Sequence, residues 1–189
     1  MRPPGKHPAL RHRAVFLDRD GVLNAVVMRD GKPASPRRPE EFVLESGVED
    51  ALGRLHAAGL KLFVVTNQPD VSRGLMDDAA LDAMHRTLRE RLPIAEIACC
   101  RHDDAQGCAC RKPKPGMLLD LATRWDLALA KSVMIGDQDR DMACGRAAGC
   151  ATIQLARPYN SGAGAQHRVA DLAAAVAIIL QQLGSSIAA

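Results

Sequence analysis

The 189 residues are 47% hydrophobic and 25% charged, a balance that suits one globular domain with a real core and excludes general disorder. Aromatics reach only 3% and the formal charge only +3, too little for a surface that stacks bases or follows a phosphate backbone. No nucleic-acid partner is therefore expected.

Residues 1–13 carry Arg2, Lys6, Arg11 and Arg13 among Pro3, Pro4 and Pro8. They lack apolar periodicity and read as a flexible basic tail. The tail has no apolar core of a signal peptide, and no later run is long enough to span a bilayer. A cytoplasmic, membrane-free protein is expected, monomeric in the simplest reading. Six cysteines in that compartment do not suggest a disulfide framework.

The first element, Val15 to Leu17, reads as a buried strand that runs straight into Asp18-Arg19-Asp20-Gly21. Carboxylates at i and i+2 of an extended chain share a face, and each opposes the other's ionisation unless a cation or hydrogen bonds compensate. A cation site with a spare carboxyl for proton transfer fits these residues. So does a strand fading into a polar turn. Arg29 to Glu41 holds three prolines and predicts a loop over the sheet. A helix follows near Val48 to Ala58, stopped by Gly59, and then a buried strand from Lys61 to Thr66.

Next come a helix over about 77–92, a strand over 96–100, a loop rich in Cys and His, and a helix over 115–125. A strand over 132–136, a helix over 139–148, a strand over 151–155 and an Ala-rich closing helix over 169–183 complete the chain. This alternation predicts a three-layer α/β/α fold on a parallel sheet, a single domain over 14–185 with no large cap domain. Ligands in such sheets gather at the carboxyl ends of the strands. Asp18 and Asp20, Thr66-Asn67-Gln68, and Gly136-Asp137 all follow apolar strands directly.

Thr66 and Asn67 could cap the next element or donate to an anion. Lys112, just before a helix start, could be a solvated turn residue or an anion ligand. Asp137 could begin an ordinary helix or complete a magnesium site, since Mg²⁺ favours a few carboxylates and waters. Cys100, His102, Cys108 and Cys110 offer three thiolates and an imidazole within one short loop. Four such ligands saturate tetrahedral Zn²⁺, so a structural zinc is the stronger reading over free surface thiols. Cys99 should then face elsewhere, and Cys144 and Cys150 read as small buried hydrophobes.

The strings FLDRDGVLN, VVTNQPDVSRG, CRKPKPGMLLD and MIGDQDRDM, in this order, resemble the haloacid dehalogenase superfamily in its phosphatase branch. With the C-x-H and C-x-C pairs, they are most similar to the members that act on heptose bisphosphates. The resemblance implies a Mg²⁺-dependent phosphatase for a small phosphorylated sugar, working through an aspartyl-phosphate. Asp18 would be the nucleophile and Asp20 the proton donor and acceptor. Asp18, the backbone carbonyl of Asp20, and Asp137 would hold Mg²⁺, with Asp141 in support. Thr66 and Lys112 would bind the phosphoryl oxygens, with Asn67 and Gln68 among the anion donors, and Arg111 would recognise substrate.

Ala25-Val26-Val27-Met28, Pro69-Asp70 and Gln138 depart from the family pattern, and these differences concern the leaving group rather than the reaction. The histidinol-phosphate phosphatases are the nearest alternative, with polynucleotide 3'-phosphatases further off. A non-enzymatic zinc-loop interaction module would leave Asp18 and Asp20 unexplained.

Overall fold

The structure, a computed structural model, describes residues 12–161 and 164–187. Ala14–Leu17 form β1, with all four residues buried. Its alternation assigns the two faces of the sheet. Val15 and Leu17 join one apolar cluster, and Ala14 and Phe16 join the other. β4 (Lys61–Asn67) and β6 (Val133–Gly136) flank β1, both in parallel register. β5 (Glu96–Cys100) lies outside β4, and β7 (Ala151–Leu155) and β8 (His167–Val169) extend the other side. The order β5-β4-β1-β6-β7-β8 makes β1 the point where the winding reverses, and a crevice opens there at the strands' carboxyl ends.

α1 (Val48–Ala57) and α5 (Leu172–Ile187) cover the first face. α3 (Gly116–Trp125) and α4 (Asp139–Ala147) cover the second, where Leu118 and Leu121 meet Phe63 and Met134. Each such Leu contributes about 1.5–3 kcal/mol by leaving water. α2 (Asp78–Arg91) starts where the Asp77 carboxylate accepts from the Ala80 amide at 2.7 Å. No helix among the described residues is long and apolar enough to cross a membrane.

Two expectations need correction. The 29–41 segment is not wholly loop, because Val27–Arg29 (β2) and Lys32–Ala34 (β3) pair as an antiparallel hairpin. Asp30 and Gly31 turn it with φ of 50° and 72°, the double-positive geometry whose twist matches two paired strands. The closing helix begins at Leu172 rather than Val169. Residues 167–169 add to the sheet instead, and Asp171 caps the helix by accepting from the Ala174 amide at 2.8 Å. The expected tail falls outside the described residues up to position 11. His12, next to it, bridges Leu127, and the Arg13 carbonyl accepts from the Lys61 amide at 3.1 Å.

Candidate active site

β1 ends at Leu17, but its ladder runs one residue further, with the Asp18 amide donating to the Ile135 carbonyl at 2.9 Å. That bond fixes Asp18 at the mouth of the crevice. Its Oδ1 accepts from the Arg19 amide at 2.7 Å and pairs with Lys112 Nζ at 2.9 Å. Lys112 arrives on the segment before α3, where its backbone is clamped from both sides by the Asn67 side chain at 3.0 and 3.1 Å. The same ammonium pairs with Asp141 Oδ1 at 2.7 Å. Asp141 also caps α4, its Oδ2 accepting from the Gln138 amide at 3.0 Å. Asp141 is thereby engaged at both oxygens.

Asp137 follows β6 and is buried. Its Oδ2 accepts from the Tyr159 hydroxyl at 2.6 Å and from Gln138 Nε2 at 3.1 Å, while Oδ1 is buried without a partner. Carboxylate oxygens of Asp18, Asp137 and Asp141 lie within 4.8 Å of one another. Three carboxylates against one ammonium leave an excess of negative charge. Burial, then the neighbouring carboxylates, push Asp18 up to about 6, and burial, then Asp18, push Asp137 up to about 6. A divalent cation would relieve both, and the partnerless Asp137 Oδ1 is an unused ligand for it. The donor set fits Mg²⁺.

Asp20, two residues from Asp18, has a different environment. Oδ1 accepts from Arg19 Nε at 3.0 Å and Asn24 Nδ2 at 2.9 Å. Oδ2 accepts from Arg19 Nη2 at 3.2 Å, Ser35 Oγ at 2.8 Å and Gln68 Nε2 at 2.9 Å. Burial alone would raise its pKa, but Arg19, then Asn24, Gln68 and Ser35, hold the carboxyl below its ordinary value. Gln68 also donates to Thr66 Oγ1 at 2.8 Å, which leaves the Thr66 hydroxyl proton to be donated elsewhere.

Asp18, Asp20, Asn67, Lys112 and Asp137 line one narrow pocket with Val26, Ser35, Gln138 and Arg140. Gln68 is fully buried behind it and positions Asp20 rather than meeting solvent. Arg111 lies in an adjoining cleft with Arg37, Arg73 and Arg140, its guanidinium engaged by Asp104 and by the His102 carbonyl. The cysteine loop gathers as expected. Cys100, Cys108 and Cys110 sulfurs lie 3.2–3.6 Å apart, and His102 Nδ1 is 3.3 Å from Cys110 Sγ and 3.6 Å from Cys100 Sγ. Cys99 points away, against Met76, Leu81 and Met84.

The sequence reading missed Ser35, Asn24 and Tyr159. Ser35 and Tyr159 reach the site from irregular segments with no periodicity to flag them. Asn24 lies inside the FLDRDGVLN string, and its role depends on a turn that returns its amide to Asp20.

A first strand that runs into Asp18, a lysine on the segment before α3, and an acidic pair after β6 define the haloacid dehalogenase type of phosphoryl-transfer hydrolase. The HAD-hydrolase-like family model matches residues 109–184. A D-glycero-beta-D-manno-heptose-1,7-bisphosphate 7-phosphatase from Bordetella bronchiseptica is 39% identical over 144 residues, covering 74% of this chain and 78% of the relative. A Mycobacterium tuberculosis relative, named for the alpha anomer, is 34% identical over 159 residues, 78% of this chain and 82% of its own. The crystal structure of the B. bronchiseptica D,D-heptose 1,7-bisphosphate phosphatase, complexed with magnesium and phosphate, superposes with a TM-score of 0.75 at 34% identity. It covers 90% of this chain and 99% of that one. The chain belongs to the D-glycero-D-manno-heptose-1,7-bisphosphate 7-phosphatase family of HAD-like hydrolases.

Proposed function

We propose that the chain removes the 7-phosphate of D-glycero-D-manno-heptose 1,7-bisphosphate, in the synthesis of nucleotide-activated heptose. The observation that carries the mechanism is the contrast between the two carboxylates. Asp18 shares its space with Asp137, Asp141 and Lys112, whereas Asp20 is turned into a ring of neutral donors and one guanidinium. The substrate assignment rests on the family.

Both contacts to Asp18 fall on Oδ1, which leaves Oδ2 to form the bond to phosphorus. As that bond forms, the ester P–O bond breaks and Asp20 gives its proton to the departing sugar oxygen. Water then attacks the aspartyl-phosphate, Asp20 takes the water's proton, and the P–O bond to Asp18 breaks. Among the donors around Asp20, the Ser35 hydroxyl can reverse and accept by rotation alone. When Asp20 carries the proton, Oδ2 has in Ser35 a hydroxyl that can turn to accommodate it. Lys112 and the free Thr66 proton stabilise charge on the phosphoryl oxygens. Mg²⁺, held by Asp18, Asp137 and the Asp20 carbonyl, would mask repulsion between the anionic nucleophile and the phosphate.

Cys100, His102, Cys108 and Cys110 hold a structural Zn²⁺ in this reading, supported by four ligand atoms facing one centre. The loop they close ends directly before Arg111 and Lys112, so the metal stiffens the two residues that meet substrate.

The test is Mg²⁺-dependent phosphate release from both heptose bisphosphate anomers and from histidinol phosphate at equal concentration. A heptose bisphosphate should be strongly preferred, and Asp18→Asn should lower kcat by about 10³-fold or more. Preference for histidinol phosphate would overturn the substrate assignment. An active Asp18→Asn enzyme would overturn the mechanism.

A further inference from the structure

Arg19 is fully buried, although it sits between the two carboxylates at the edge of a polar pocket. A buried guanidinium is costly unless each of its faces and donors is used. Here each is. The backbone amide holds Asp18 Oδ1 at 2.7 Å. Nε and Nη2 grip the two oxygens of Asp20 at 3.0 and 3.2 Å. The guanidinium lies over the Phe42 ring, 5.5 Å from its centroid. The outer nitrogen, Nη1, is 3.4 Å from His85 Nε2, a residue 66 positions away on α2.

We propose that Arg19 and His85 are positioning residues for the leaving-group proton: His85 anchors the guanidinium, and the guanidinium aims the carboxyl of Asp20. This rests on the reading of Asp20 as proton donor. A two-pronged grip fixes the plane of a carboxylate as well as its distance. It does so only if the guanidinium cannot itself rotate. Phe42 blocks one face, and His85 supplies the acceptor that stops Nη1 from swinging. Burial, then Arg19, push the His85 imidazole down to about 3, so it stays neutral and keeps the Nε2 lone pair for Nη1. An apolar side chain at 85 would leave Nη1 buried without an acceptor and free the fork to tilt. The carboxyl of Asp20 would then present its proton at the wrong angle, and proton transfer depends steeply on that alignment.

The distinguishing readout is the leaving group. An alkoxide needs a proton to depart, whereas a 4-nitrophenolate needs little help. The ratio kcat/KM reports transfer to the nucleophile and is blind to the later hydrolysis of the intermediate. We would measure kcat/KM for the heptose bisphosphate and for a series of substituted phenyl phosphates, with wild type, His85→Leu, His85→Gln, Arg19→Lys and Asp20→Asn. His85→Leu should lose about tenfold on the sugar ester and under about twofold on 4-nitrophenyl phosphate. Its plot of log kcat/KM against leaving-group pKa should be steeper. His85→Gln keeps a side-chain acceptor and should recover most of the loss. Arg19→Lys, which can grip only one oxygen, should fall between wild type and Asp20→Asn.

Equal losses across the series in both His85→Leu and Arg19→Lys, with Asp20→Asn steep, would overturn the positioning role and leave Asp20 as the donor. A flat Asp20→Asn series would instead overturn the assignment of Asp20. Should His85→Leu fail to fold, Arg19→Lys and His85→Gln decide the question by the same slopes.

Discussion

Gly21 is held at φ +80°, and a β-carbon built there would fall 2.3 Å from Asp137 Oδ2 and 2.8 Å from the Tyr159 hydroxyl. The backbone turn behind Asp20 thus depends on glycine twice, for its dihedral and for the space that Asp137 occupies. Gly21→Ala should destabilise the protein by about 1–3 kcal/mol and cut activity further than the stability loss explains. Gly53 is a useful control, exposed on α1 with open space around it. Gly53→Ala should leave activity intact and stabilise by about 0.5–1 kcal/mol. Thermal melts and phosphate-release rates on both variants check this. A Gly21→Ala enzyme as active as Gly53→Ala would contradict the crowding. At this scale the sequence was most legible where one short string carries the chemistry. Asp18 and Asp20 were readable because two carboxylates after an apolar strand are costly. Their separate roles were implied by the family resemblance, but the partners that set Asp20 apart were not legible, because Ser35 and Gln68 lie 15 and 48 residues away.

Among the elements, the β2–β3 hairpin and the segment that follows it bring Ser35 to Asp20. Glu41 ties this stretch together, with Arg29 Nη2 at 2.6 Å, the Arg37 amide at 2.8 Å and Arg38 Nη2 at 3.3 Å. Arg37 continues the chain of contacts to Asp70 at 2.7 Å. The Arg37 amide and the arginine side chains lower Glu41 to about 2. A depressed carboxylate contributes stability that is present above its unfolded value. That stability is lost as pH falls through the folded value. The melting-temperature gap between wild type and Glu41→Gln should therefore be constant above about pH 5 and shrink toward pH 2. A gap that widens on acidification would reverse the assignment. The regular elements were legible from their apolar period, and the misread ones were short. Pro33 and three-residue strands hid the hairpin, although Asp30-Gly31 was a turn signal. Val169 looked like helix because an Ala-rich run follows it, yet Asp171 marked the cap.

For the whole molecule, the cysteine loop links the sheet edge at β5 to Arg111 and Lys112, which line the pocket and its adjoining cleft. Cys100 is buried in the core cluster below α3, while Arg111 and Lys112 follow Cys110 directly. Stripping the protein with a strong thiol-compatible chelator should therefore abolish activity and expose the 101–111 loop to protease. Zn²⁺ with Mg²⁺ should restore both, and Mg²⁺ alone should not. Full activity of zinc-free protein in Mg²⁺ would refute a structural role for the loop metal.

By itself the sequence determined the parallel α/β architecture, the strings that place Asp18, Asp20, Lys112 and Asp137 together, and the cluster of Cys100, His102, Cys108 and Cys110. Those signals are local: an apolar period, a costly pair of charges, a spacing of sulfurs. The tertiary structure decided which residues surround Asp20. It also turned Asn67 and Gln68 into supports for Lys112 and Asp20, and brought Tyr159 to Asp137. Side chains distant in sequence meet only once the strands have stacked in their order, and no local pattern encodes that order's contacts at a strand end.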